Sequence, residues 1–161
     1  MSGRNRLLIL GLVIVVMIVG VIFIQTSYGS DLPEIVEQRQ EAMKGLGGHM
    51  KAIGESLESG SPDAALVEEH ATAIANTADA IPTLFPEGTS LEDIDGKVGA
   101  KPEIWQDWAG FEAAATNLGT LGDALVAAAQ TDDAAAIQTA FKTLGEQGCG
   151  GCHSKFRQKV N

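Results

Sequence analysis

Two cysteines occur in this 161-residue chain, three positions apart, with a histidine directly after them: Cys149-Gly-Gly-Cys152-His153. Four chemistries use such a pair. A redox dithiol usually sits at a helix N-terminus after a strand, where the dipole lowers the thiol pKa, but this pair lies late in a chain without strand patterning. A zinc site needs four ligands. Only His49 and His70 remain to complete one, and the adjacent Cys152 and His153 are poorly placed to share an ion. A disulfide here closes a small strained ring and leaves His153 without a role. In the fourth chemistry the two thiols add to the vinyl groups of a porphyrin, and the histidine beneath the ring ligates iron. On a helix, Cys149 and Cys152 lie one turn apart, and Cys149 and His153 share a face. Covalent haem is the reading that uses all three residues.

The N-terminus supplies a second clue. MSGRNR carries Arg4 and Arg6 and no acid, and residues 7–24 then run without one polar side chain. Eighteen helical residues rise about 27 Å, close to the roughly 30 Å of a bilayer core. The basic side should stay in the cytoplasm, which places the chain from Gln25 onward outside it. Residues 1–30 read as a signal anchor holding the protein to the inner membrane through 7–24. The alternative is a cleaved signal peptide, cut among Ser27-Tyr28-Gly29-Ser30, which leaves a soluble periplasmic protein. Both readings export residues 31–161, and bacterial haem attachment to cysteines takes place outside the cytoplasm.

The exported part is acidic. Nine of the eleven Lys and Arg and all 21 acids follow position 30, a formal charge of −12. That excludes nucleic acid and anionic lipid as favoured partners of the domain.

Helices must position the cysteines. Alanine, leucine and glutamate dominate, and no period-two run is present. The first helix begins near Asp31-Leu32-Pro33, with inward positions Leu32, Val36, Arg39, Met43, Leu46, Met50, Ile53 and Leu57. Their steps of four and three alternate as in a bundle seam. Ser61-Pro62 opens the second helix, as cap and first helical residue, with seam Val67, Ala71, Ile74, Ala78 and Ile81. A surface connection rich in Gly, Pro and acid follows. The third helix starts by Pro102-Glu103 and carries Ile104, Trp108, Phe111, Ala115, Leu118, Gly122 and Leu125. Thr131-Asp132-Asp133 caps a fourth, with Ile137, Phe141 and Leu144 ahead of the cysteines. The expected fold is all-α, an antiparallel four-helix bundle preceded by an N-terminal hydrophobic helix. Its core is alanine-rich, with room for something bulky. Gly45, Gly47 and Gly48 are costly in a helix and suggest space for a porphyrin or a close neighbour.

Several segments in this order resemble the cytochrome c′ family: EQRQEAMKGLG in the first helix, LFPEGT and KPEIWQDWAGF in the middle, and CGGCH followed by SKFR near the end. The resemblance spans residues 31–161. It implies one haem c per chain, with thioethers at Cys149 and Cys152 and His153 as axial iron ligand. It places Arg39 near the haem; a charge on an apolar seam needs a partner, and a haem propionate would provide one. It places Arg157 near the proximal histidine and Met43 on the distal side of the iron. With the Met43 thioether as sixth ligand, the protein is a monohaem electron carrier serving redox partner proteins. With Met43 only packing there, an open five-coordinate iron binds NO or CO. Relatives are often homodimers through their first two helices, which makes a homodimer a candidate assembly. No nucleophile–base set or carboxylate pair marks the chain as an enzyme.

Overall fold

A computed structural model describes residues 33–160. The hydrophobic run 7–24, the seam position Leu32 and the capping residue Asp31 lie outside them. Helix α1 spans Glu34–Glu58, α2 Ala64–Ala80, α3 Glu103–Gln106, α4 Trp108–Gln130 and α5 Ala134–Thr143. A π-helical segment, Leu144–Gly150, continues α5 into α6, Gly151–Phe156. The three make one run, the fourth long rod of the bundle. A 3₁₀ turn, Ile81–Leu84, opens the crossover from α2 to α3. Regular structure among the described residues is helical throughout, and none of these helices is long and apolar enough to cross a membrane.

The seams are where the four–three alternation puts them. Val36, Leu46, Ile53, Val67, Ala71, Ile74, Ala78, Phe111, Ala115, Leu118, Leu125, Ile137 and Leu144 are buried, and Met43, Met50 and Trp108 pack half-buried against them. The α2–α4 pair is the most extensive contact, and small residues make it close. A methyl group on Gly122 would fall 3.0 Å from Ala75 Cβ and 3.1 Å from its backbone nitrogen. By contrast, α1 packs only sparsely on the fourth run.

Several local expectations are corrected. Asp63, not Ser61, caps α2, accepting from Leu66 N at 3.1 Å, because its carboxylate reaches the unpaired amides of the first turn. The third helix is broken. Asp107 leaves helical geometry at φ −130° and caps α4 by accepting from Gly110 N at 3.2 Å. A side chain at 110 would displace the Asp107 carboxylate and so disturb this cap. The fourth rod does not remain α-helical; it widens at Leu144. Finally, a Cβ added at Gly45, Gly47 or Gly48 would meet nothing within 4 Å, so no close approach of a described helix requires glycine there.

The crossover is tied down at both ends. At its start, the Arg39 guanidinium donates from Nη1 to Thr89 O (3.2 Å) and from Nη2 to Thr89 Oγ1 (2.9 Å), and lies 4.2 Å from the centre of the Phe85 ring. At its end, residues 99–101 pair with the C-terminal segment. Gln158 N donates to Gly99 O at 2.8 Å and Lys101 N to Phe156 O at 3.1 Å, around an antiparallel bridge from Ala100 to Arg157. A side chain on Gly99 would come within 2.7 Å of Gln158 O.

Two outcomes follow. Gly122→Leu should destabilise the domain by about 1–3 kcal/mol through overpacking of α2 on α4, read by urea unfolding. Thr89→Val removes an acceptor from a buried guanidinium and should cost about 1–3 kcal/mol in the same measurement; an unchanged midpoint would show that Arg39 does not depend on Thr89.

Candidate functional site

The cysteine cluster is presented by the widened part of the fourth rod. Its inner face is anchored by Leu144 and Gly148, both buried against α4. A methyl on Gly148 would lie 3.0 Å from Leu118 Cδ1, so glycine allows the segment to approach this closely. The π-helical turns end at Gly150, inside the motif. Such widened turns recur at functional sites because they change which face of a rod the following residues occupy. Cys149, Cys152 and His153 emerge half-buried beside the apolar core.

Their chemistry separates the alternatives left by the sequence. No disulfide joins the two cysteines. Burial raises both thiol pKa values, and the neighbouring Cys149 raises that of Cys152 further. They stay protonated at neutral pH, unlike an activated redox dithiol. Burial lowers the His153 pKa, and the Arg157 charge lowers it further. The imidazole is then neutral with a lone pair free for a metal. Among the described residues, no group of three or more His, Cys, Asp or Glu is gathered as a metal cage.

The register between α1 and the fourth rod places the other candidates. A methyl on Gly54 would lie 3.6 Å from the Phe141 ring, and one on Gly145 would lie 3.6 Å from Met50 Cε. The two rods are therefore antiparallel, and each step back along α1 matches a step forward along the other. Met43 lies two turns back along α1 from Met50, in the direction of the rod end that carries the cysteines. Arg39 lies one turn further in the same direction. Met43 is half-buried against the core.

Arg39 is 5% exposed. Burial lowers its pKa to about 10, which leaves the guanidinium fully charged at neutral pH. Thr89 and the Phe85 ring take part of its bonding demand, but buried Nε has no partner. One more acceptor is therefore wanted beside it. Phe85 joins an aromatic cluster: its ring centre is 4.8 Å from that of Phe111, which lies 5.4 Å from Phe156 and 5.5 Å from Trp108. Trp105 donates Nε1–H to Phe85 O at 3.1 Å. Trp105 and Trp108 also line an open cleft of about 370 Å³ with Pro82, Phe85 and Pro86. Arg157 is exposed, one turn past His153, its amide donating to His153 O at 3.2 Å.

These residues fit a haem: two thiols and a neutral imidazole within five residues, a half-buried methionine on the antiparallel first rod, and a buried cation with an unused donor. The sequence did not reveal that His49 and His70 meet. Their Nδ1 atoms are 2.8 Å apart, a hydrogen bond between α1 and α2. Both histidines flank their seams, a position that points neither toward the core nor clearly away from it.

The Cytochrome C′ family model matches residues 34–157. A cytochrome c-556 of Agrobacterium fabrum is 40% identical over 125 residues, covering 77% of this chain and 81% of that protein. The crystal structure of cytochrome c′ from Thermochromatium tepidum superposes with a TM-score of 0.68 at 32% identity, covering 81% of this chain and all of that one. A further cytochrome c′ structure, described by an unusual ligand-controlled dimer dissociation, matches with a TM-score of 0.68 at 32% identity over 78% of this chain and 95% of its own. Family, fold and cysteine motif agree: the chain belongs to the cytochrome c′ family, whose cofactor is haem c, one per chain.

Proposed function

We propose that this protein is an exported monohaem cytochrome that carries single electrons. Cys149 and Cys152 would hold the haem as thioethers, and His153 and Met43 would ligate its iron. The observation that supports the reading is the half-buried Cys149, Cys152 and His153 on a rod that runs antiparallel to α1, the helix that carries Met43. The bound haem supplies a one-electron ferrous–ferric couple. The chain's own groups tune it. Arg39, with Nε unpartnered, pairs with a propionate, and its buried positive charge disfavours the more positive oxidised state. Arg157 acts in the same sense from the proximal side, weakened by exposure. The apolar residues around the motif limit water. The basic then apolar N-terminus supports a site of action outside the cytoplasm.

A second reading has its own support. Met43 is half-buried rather than locked in the core, and one solved relative is described by ligand-controlled dimer dissociation. With Met43 off the iron, the distal side accepts NO or CO, and binding there can govern a homodimer.

Visible spectra of the haem-loaded protein decide between them. Met43 ligation is expected to give a low-spin ferrous spectrum that CO leaves unchanged. Met43→Leu should then turn it high-spin and CO-reactive, with a lowered potential. A wild-type spectrum that is already high-spin and shifts with CO would establish the second reading. Replacing both Cys149 and Cys152 with alanine should make the haem extractable by acidified acetone; haem retained in that variant would refute the thioether assignment.

A further inference from the structure

The charges on this surface are unevenly spread. Nine cations face 21 acids over residues 31–161, so any cationic patch stands within a negative field. Five of the nine gather in one place: Lys97, Lys101, Lys155, Arg157 and Lys159. The backbone pairing of residues 99–101 with 156–158 draws them together. Elsewhere the exposed cations are matched, Lys44 by Glu41, Lys51 by Glu55 and Lys142 by Glu146. Inside the cluster Lys101 pairs with Glu103 and Lys155 with Asp107. Among the described residues Lys97, Arg157 and Lys159 form no ion pair, and all three are exposed. Beside them Val160, 44% exposed, is the one exposed large hydrophobic side chain of the described residues. One exposed apolar side chain close in sequence to unpaired cations suits a weak, transient contact.

We infer that this patch, at the end of the rod carrying Cys149, Cys152 and His153, is the docking surface for an acidic redox protein. The inference rests on the haem reading above. The body of the domain repels such a partner and the patch attracts it, so the encounter is oriented with the cysteine segment toward the partner. A flat anionic membrane is a poorer fit, since it would meet the acidic flanks together with the patch.

The test uses the full-length haem-loaded protein in neutral detergent. Hexacyanocobaltate(III), a redox-inert trianion, should shift amide resonances centred on residues 97–101 and 155–160. Hexacyanoferrate(III) takes one electron from the ferrous protein, becoming hexacyanoferrate(II). Net charge dictates that this rate rises with salt; the patch dictates that it falls, about threefold or more as the Debye length shrinks. Combining Lys97→Glu with Lys159→Glu should reverse that sign and leave the visible spectrum unchanged. A wild-type rate that rises with salt, or shifts centred elsewhere, overturns the proposal. Binding to anionic over neutral vesicles that the double variant abolishes also overturns it, by giving the patch to lipid. If haem does not attach, the function proposed above fails, and the cobalt mapping still judges the patch because it needs no electron exchange.

Discussion

A buried guanidinium organises this domain. Arg39 occupies a seam position that a bundle would ordinarily fill with an apolar side chain, and a lone charge there costs several kcal/mol. Thr89 and Phe85 offset part of that cost, which binds the start of the crossover to α1. Phe85 in turn leads through Phe111 to Phe156, three residues beyond His153. One charge thus links the first rod, the connecting loop and the end of the fourth rod, and still has Nε unspent.

The bundle divides its labour. The α2–α4 pair is close and built from alanine and glycine, giving rigidity where no chemistry is needed. The seam between α1 and the fourth rod is loose, and the candidate ligands occur along it. A haem placed there supplies the bulk that an alanine-rich core lacks. Affinity for the cofactor and stability of the fold then have a common source, as in other proteins whose ligand binds the native state alone.

Much of this was legible in the sequence because seams obey simple periodicity. Val67, Ala71, Ile74 and Ala78 are buried where a four–three alternation places them. The cysteine motif, Arg39 on an apolar face and Met43 one turn later were equally visible. Features set by competition between side chain and backbone were not. Asp107 breaks a helix that its neighbours would continue, because its carboxylate can reach Gly110 N. The widening at Leu144 leaves no mark in residue spacing, since Leu144 and Gly148 remain four apart as on a regular helix. The meeting of His49 and His70 depends on how two rods are rotated against each other, which a single-helix pattern does not fix.

The clasp between residues 99–101 and 156–158 bears on how the chain reaches this form. It joins two segments that are distant in sequence, so it forms only once the long loop between them has closed. Until then the crossover is held at one end alone, and the cysteine segment stays accessible.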